Sequence, residues 1–365
     1  MKKKIKIYFF HPYSGKGGAD LSISRLINGI DKSLFDIDFI SLNYPIIKNK
    51  IINNIRYKKI NVSRTLFAFD KIKKIIQNDT KYKKKIFISN QNFANSLSIL
   101  FLKKVENLKI ILFERNHINE LNFYKNYSEF VKKIIIKILI KFFYKKADLV
   151  ITNSKVSSRD LRSYSSANVK TIYNPCFFKL DRTKKNKKKQ QVILNVARFE
   201  RQKDHITLLR GFKNARFNKN FLLNLVGYGE KEKIIRKFIK ENNLKNVKIF
   251  NKKKELKEMY KKSDLFILTS LYEGFPNVLV EAASFRIPII SSDFKSGASE
   301  ILLDGKAGTL FKIGDHQKLS KLIDDFYLDK KKYLIKEKKC SSLLNRFSNK
   351  KMTNLFNQTL LTLSK

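Results

Sequence analysis

The sequence predicts an α/β chain of two units, each a parallel sheet with helices on its faces. Three observations predict it. Short apolar runs of strand length alternate with segments of helical spacing. Several of these runs end in glycine-bearing or polar turns, where open parallel sheets bind ligands. A polar basic run, Arg182 to Lys189, separates an earlier αβ series from a later one. The 365 residues favour two domains of ordinary size, each able to bury a core. The expected division is residues 1–175, a linker at 176–191, a second domain at 192–345 and a final helix at 346–365 packing back on the first.

Composition narrows the class. The apolar fraction of 43% lies in the globular range and excludes wholesale disorder. The two cysteines, Cys176 and Cys340, are far apart with no CxxC, so neither a disulfide framework nor a zinc site is implied and a reducing compartment fits. Met1-Lys2-Lys3-Lys4 leads directly into Ile5–Phe10, which reads as a first strand and not as a signal peptide. No uncharged apolar run approaches the ~20 residues of a membrane span. The formal charge is +47, from 78 basic against 31 acidic residues. Such a surface favours polyanions, whether nucleic acid, phospholipid or phosphorylated substrates, and charge alone does not choose among them.

In the first half, the strand Ile5–Phe10 is followed by a glycine-rich loop, His11 to Asp20, and then by helical spacing over Leu21–Ile27. Strand, glycine loop and helix begin a nucleotide-binding unit in which the backbone amides near Gly17 and Gly18 can approach phosphate. The loop is not GxGxxG, and glycine loops also serve plain turns. Further strands are expected at Asp36–Leu42, Lys85–Ser89, Lys109–Phe113 and Leu149–Asn153. The run after Phe113 is Glu114-Arg115-Asn116-His117, a polar cluster at a strand's carboxyl end. Val131–Lys146 is a helix of lysines set among Ile, Leu, Phe and Tyr. Lys133, Lys137, Lys141 and Lys145 recur every four residues as one drifting stripe. Two readings stand open: a core helix with a solvated lysine face, or a helix lying on an anionic membrane leaflet.

The second half opens with the strand Val192–Val196 and the segment Ala197 to Asp204, which holds Arg198 and Lys203. A helix over Thr207–Phe212, the strand Leu222–Val226 with a turn at Gly227 and Gly229, and strands at Val247–Phe250, Asp264–Leu268 and Ile287–Ser292 follow. After the Asp264–Leu268 strand comes Glu273-Gly274-Phe275-Pro276-Asn277-Val278-Leu279-Val280-Glu281-Ala282. Gly274 permits a tight turn and Pro276 suits the first turn of a helix. Glu273 then stands in the turn, Glu281 about two turns into the helix, and the amides of Asn277 and Val278 at its start make an anion site. One carboxylate can take sugar hydroxyls and the other a ribose, with phosphate between them.

Glu273 and Glu281, with seven residues between, resemble the E-x7-E motif of retaining GT-B glycosyltransferases of the family 4 type. The resemblance is close over residues 192–312 and looser over 1–175. The glycine loop is similar to the family's GG-x-E loop, with Asp20 in place of Glu. The stretch Ser296-Gly297-Ala298-Ser299-Glu300-Ile301-Leu302 is similar to the family's SGPxEIL, with Ala298 in place of Pro. The resemblance implies two Rossmann-like domains facing a central cleft. It implies Arg198 and Lys203 on the donor diphosphate, whose developing charge needs fixed cations. It implies Glu281 on the ribose, Glu273 on the donor sugar, His117 reaching the donor sugar across the cleft, and the turn at Gly227 approaching the nucleotide. No DxD motif stands near the site, so no metal and no other cofactor is expected.

The expected activity is transfer of a hexose or N-acetylhexosamine, with retention, from a nucleotide-sugar of the UDP type. The acceptor would be a lipid-linked or membrane-associated glycan in cell-surface polysaccharide or lipopolysaccharide synthesis. The expected location is cytoplasmic, peripheral on the inner face of the membrane, with anionic lipid as a contact and no nucleic-acid partner. The alternative is a nucleotide-sugar epimerase of the same architecture; a basic nucleic-acid-binding protein ranks below it, since it should interleave aromatic and basic residues on one sheet or carry a recognition helix, and the sequence shows neither.

Overall fold

The computed structural model describes residues 4–13, 17–43, 55–177, 179–181, 190–251 and 256–365. The basic run Arg182–Lys189, expected as a linker, lies outside them, as does Ser14 to Lys16 of the glycine loop. The chain divides into two compact units. One comprises Met1–Cys176 with Phe347–Lys365, and the other Phe177–Arg346.

The first unit holds strands β1 (Ile5–Phe10), β2 (Phe35–Ser41), β3 (Arg56–Lys59), β4 (Lys85–Asn90), β5 (Leu108–Glu114), β6 (Leu149–Thr152) and β7 (Val169–Thr171). They form one parallel sheet in the order β3-β2-β1-β4-β5-β6-β7. Helices α1 (Gly18–Asn28), α2 (Ala68–Asn78), α3 (Asn92–Leu102), α4 (Tyr127–Phe143) and α5 (Lys155–Ser165) alternate with them. Successive side chains of β1 serve opposite faces, which is why the run is apolar throughout. Tyr8 and Phe10 join Phe69, Ile72, Leu97, Ile136 and Tyr144 from α2, α3 and the α4 end. Ile7 and Phe9 join Ile23 and Leu26 of α1 and, from the chain's last helix, Met352, Phe356 and Leu360. Buried charged groups interrupt this core, among them an ion pair. Lys6 is fully buried and bonds Asp38, which also pairs with Arg56 at 2.9 Å.

The second unit holds β8 (Gln191–Val196), β9 (Phe221–Val226), β10 (Val247–Phe250), β11 (Leu265–Leu268), β12 (Ile289–Ser292) and β13 (Thr309–Phe311). Their order is β10-β9-β8-β11-β12-β13, again all parallel. Its helices are α6 (His205–Asn214), α7 (Glu232–Glu241), α8 (Leu256–Lys261), α9 (Asn277–Ser284), α10 (Gly297–Ile301), α11 (His316–Leu328) and α12 (Lys330–Ser342). The chain returns to the first unit for α13 (Asn349–Leu363), capped by Ser348, whose side chain accepts from the Lys351 amide.

Both sheets are therefore doubly wound Rossmann-like sheets. In each the strand order reverses once, between β1 and β4 and between β8 and β11. At such a reversal point open α/β sheets bind ligands, at the carboxyl edge of the strands.

Three strands escape a reading based on apolar runs. β3 is Arg-Tyr-Lys-Lys, a charged edge strand, and β7 and β13 have three residues each.

Candidate active site

In the second unit the reversal point brings two distant loops together. β8 and β11 pair at Ile193–Leu265 and Leu194–Phe266, so the segments that follow them emerge side by side. They are then tied together. The Leu271 amide donates to the Gln202 carbonyl at 2.8 Å, and Gln202 Nε2 donates to the Tyr272 carbonyl at 2.7 Å. Thr269 Oγ1 donates to the carbonyls of Lys203 and Asp204, each at 3.0 Å. Asp204 closes the first loop as the cap of α6, its carboxylate accepting from Thr207 Oγ1 at 2.7 Å.

This framework places Lys203 Nζ directly on Glu273 Oε1, with both side chains nearly nine-tenths buried. Ser270 Oγ donates to the same carboxylate oxygen at 2.9 Å. The loop carrying Glu273 is held from the next strand end: Ser292 Oγ donates to the Ser270 carbonyl at 2.7 Å and Ser296 Oγ to the Gly274 carbonyl. A cation and an anion in contact at a strand-end crevice form a switchable pair, since a ligand phosphate can take the ammonium from the carboxylate.

Arg198 stands on the same loop but points elsewhere. Its Nη1 lies 2.8 Å from Glu200 Oε1, and its side chain is half exposed. The turn at Gly227 locks this loop. Ala197 and Phe199 donate their amides to the carbonyls of Val226 and Tyr228, at 3.0 and 2.8 Å. A Cβ at Gly227 would stand 1.9 Å from the Ala197 carbonyl oxygen, so only glycine allows the two backbones to meet. The glycine is explained by that close approach.

Asn277 and Val278 occupy the first turn of α9, where backbone amides lack intrahelical acceptors in any helix. Glu281 is the fifth residue of that helix, just past one turn and not two as the sequence suggested. Its Oε2 accepts from Tyr260 Oη at 3.0 Å. Burial and the Glu281 charge push the Tyr260 phenol well above its ordinary value, so it remains a donor. Beside the site, His205 is buried against the Phe199 ring at 4.9 Å and pushed down to about 3 by burial and by Lys203.

In the first unit the reversal point is built differently. Gly17 precedes α1 and Gly18 opens it, with the Gly17 amide donating to Asp20 Oδ2 at 3.1 Å. Asp20 Oδ1 lies 3.0 Å from His11 Nε2, and His11 Nδ1 lies 2.8 Å from Asn90 Nδ2 at the end of β4. The Glu114 carboxyl, at the end of β5, accepts from Tyr144 Oη at 2.7 Å and is pushed up to about 7 by burial. His117 is buried as the cap of a short 3-10 helix. Its Nδ1 accepts from the Asn119 amide at 3.1 Å and its Nε2 lies 3.0 Å from Asp160 Oδ2. Both ring nitrogens are thus engaged, so contact with a sugar requires exchanging one of these partners.

The lysine stripe of α4 does not lie on one exposed face. Lys133 has a side chain only 12% exposed, donates to the Phe123 carbonyl and pairs with Glu129 at 3.3 Å. Lys137 donates to Asn122 Oδ1 at 2.7 Å. A four-residue recurrence drifts around a 3.6-residue helix, and its early members turn toward the neighbouring 3-10 segment. The exposed side of α4 instead shows Tyr127, Val131, Ile134, Ile135, Ile138 and Phe142, with Lys132 and Lys141 between them.

Among the described residues no helix is long and apolar enough to cross a membrane. Nor does any group of three or more His, Cys, Asp or Glu stand ready to hold a metal ion.

Known proteins match this architecture and its sequence. Residues 177–341 match the family model Glycosyl transferases group 1. A Campylobacter jejuni protein, N-acetylgalactosamine-N,N'-diacetylbacillosaminyl-diphospho-undecaprenol 4-alpha-N-acetylgalactosaminyltransferase, is 27% identical over 278 residues, 71% of this chain and 72% of its own. The amylovoran biosynthesis glycosyltransferase AmsD of Erwinia amylovora is 29% identical over 304 residues, 80% of this chain and 81% of its own. The crystal structure of Anabaena HepE in complex with UDP and glucose superposes with a TM-score of 0.78 at 18% identity, over 98% of this chain and 100% of that one. The GT-B fold of such neighbours extends over nearly the whole molecule, and the match to the group 1 glycosyltransferase model lies within the second unit.

Proposed function

We propose that this enzyme moves a hexose or N-acetylhexosamine from a UDP-sugar to a lipid-linked or membrane-associated glycan during polysaccharide assembly, with retention at the anomeric carbon. The observation that carries the reading is the Lys203–Glu273 pair at the reversal point of the second sheet. In the donor complex Lys203 exchanges Glu273 for the diphosphate, and Glu273 turns to the hydroxyls of the donor sugar. Arg198 leaves Glu200 to balance the second phosphate, and the α9 start with Asn277 and Val278 adds its amides. Glu281 takes the ribose, and the turn at Gly227 holds the Arg198 loop against the nucleotide. When the glycosidic bond breaks, charge grows on the departing UDP, where these fixed cations stand. The positive charge comes from side chains, so this reading needs no metal.

Support for the donor comes from the neighbour bound to UDP and glucose. Support for the acceptor comes from relatives whose names specify a diphospho-undecaprenol glycan and amylovoran biosynthesis. The relative's name specifies a 4-alpha linkage, and an α-linked product formed from an α-configured donor corresponds to retention. These transferase names favour transfer over the epimerase alternative. His117 joins this reading only as a donor-sugar contact that exchanges Asp160 for the sugar; Gly17 and Gly18 offer amides to phosphate. The apolar face of α4, flanked by lysines, suits peripheral contact with an anionic leaflet on the cytoplasmic side.

The test is to incubate the enzyme with a panel of UDP- and GDP-sugars, follow nucleotide release with and without a lipid-linked glycan, and read the product's anomeric configuration by NMR. UDP release that depends on acceptor, with an α-linked product, is expected. Release of GDP alone, or a β-linked product, contradicts the donor or the retention.

A further inference from the structure

Among the described residues, a buried charge with unsatisfied donors lies outside the second-unit site. Arg115 follows the end of β5 and is 9% exposed, yet its Nε and Nη2 are buried with no hydrogen-bond partner. Among the described residues no carboxylate forms an ion pair with it. The two acids whose charges act on it are committed elsewhere. Asp20 is held by His11 Nε2 at 3.0 Å and by the Gly17 amide at 3.1 Å. Glu114 accepts from Tyr144 Oη at 2.7 Å, and burial pushes that carboxyl up to about 7. The Arg115 backbone is anchored, and its guanidinium lies beside an aromatic ring. Asn153 Nδ2 holds the Arg115 carbonyl at 2.7 Å, and the Phe113 ring lies 5.9 Å from the guanidinium carbon.

A dehydrated guanidinium without a counterion is unfavourable, and a planar donor fork matches a phosphate oxyanion. The position completes the argument: Arg115 lies at the carboxyl edge of the first sheet, and its charge is felt by Asp20 in the first turn of α1. Buried acceptors without partners, Asn90 Oδ1 and Asn153 Oδ1, end the flanking strand β4 and follow β6, and they suit sugar hydroxyls. We infer that Arg115 is a binding residue for a diphosphate ester, its guanidinium taking a phosphoryl oxygen. The inference rests on the glycosyltransferase reading above, in which donor and lipid-linked acceptor are both glycosyl diphosphates. Either could supply the group.

The experiment is calorimetric titration of wild type, Arg115→Gln and Arg115→Lys with three probes: inorganic pyrophosphate, UDP and farnesyl diphosphate. Circular dichroism establishes that each variant is folded. Arg115→Gln should bind pyrophosphate at least 10-fold more weakly, and Arg115→Lys should fall between. A matching loss for UDP alone makes the donor the source, and a loss for farnesyl diphosphate alone makes it the lipid-linked acceptor. If Arg115→Gln does not fold, the Arg115→Lys comparison decides, with a loss of at least 3-fold expected. Unchanged affinity for all three probes in a folded variant overturns the inference, as does wild type that binds none of them. Lys203→Ala, titrated in parallel with UDP, separates the two claims. UDP binding lost there but kept in Arg115→Gln refutes the donor arm alone and leaves the second-unit reading intact.

Discussion

In the second unit, the loops after β8 and β11 bring Lys203 and Glu273 into contact, and each buried charge is answered by the other. In the first unit, the loops after β1 and β4 meet through His11 and Asn90, while Glu114 and Arg115 at the end of β5 are buried without such an answer. The two sheets share a winding and differ in how they keep charge at the same edge. A paired site takes a ligand by exchange, gaining only the difference between old and new partners. An unpaired buried group has already lost its water and gains the full interaction. The first arrangement favours reversible turnover of a charged leaving group. The second favours retention of a bound anion.

The contrast can be broken by pH, because the two units carry titrating groups shifted in opposite senses. The larger effect is expected at His205, whose folded value of about 3 lies below its ordinary 6.5. Its neutral form is the one the fold accepts, so its contribution is complete above pH 6.5 and is lost as pH falls toward 3. The loss amounts to about 5 kcal/mol if fully expressed. His205→Leu should flatten the decline in melting temperature between pH 6 and pH 4. An unchanged acid profile in that variant would show that another group governs the second unit.

Glu114 should act in reverse and more weakly. Its folded value of about 7 lies above its ordinary 4.5, so the folded state binds the extra proton. Its contribution to stability is complete below pH 4.5 and is lost, by about 3 kcal/mol, as pH rises through 7. Glu114→Gln should therefore gain on wild type as pH rises from 5 to 8. If the two proteins melt in parallel across that range, the carboxyl is not held neutral by burial.

Two binding effects are smaller. Glu281→Ala should weaken free UDP about 10-fold, or about 1.4 kcal/mol, if it holds the ribose; calorimetry showing wild-type affinity removes that role. Changing Ile135, Ile138 and Phe142 of α4 together to Gln should reduce cosedimentation with anionic liposomes several-fold and leave UDP binding intact. Lys133→Gln, by contrast, should lower the melting temperature, because that lysine is tied to the Phe123 carbonyl and to Glu129. A triple variant that sediments like wild type would assign any membrane contact to diffuse surface charge.

Much of the fold was legible because parallel strands buried on both faces are written as continuous apolar runs. Ile5–Phe10 and Val247–Phe250 read out with the bounds they have in the structure. β3 was not legible, since a solvent-side edge strand can be Arg-Tyr-Lys-Lys and gain its place from pairing with β2. The glutamate spacing and the turn chemistry around Gly274 were visible as sequence, and so was the cation pair after β8. Partnerships across sequence were not. Nothing marks Gln202 as the tie to Tyr272, Tyr260 as the donor to Glu281, or Asp160 as the partner of His117. Such contacts arise only when the sheet order makes distant loops neighbours. The unanswered Arg115 was equally hidden, because burial of a polar cluster at a strand end depends on the helices around it.

The account turns on Lys203 exchanging Glu273 for the donor diphosphate, and UDP calorimetry on wild type, Lys203→Ala and Glu273→Gln tests it most directly. Removing the ammonium should weaken UDP at least 10-fold, since a charge-assisted bond to phosphate is worth roughly 1.5–3 kcal/mol. Neutralising the carboxylate frees Lys203, so Glu273→Gln should bind UDP as tightly as wild type or more tightly while losing donor-sugar turnover. Folded Lys203→Ala that binds UDP like wild type, or Glu273→Gln that loses UDP as severely as Lys203→Ala, would contradict the exchange.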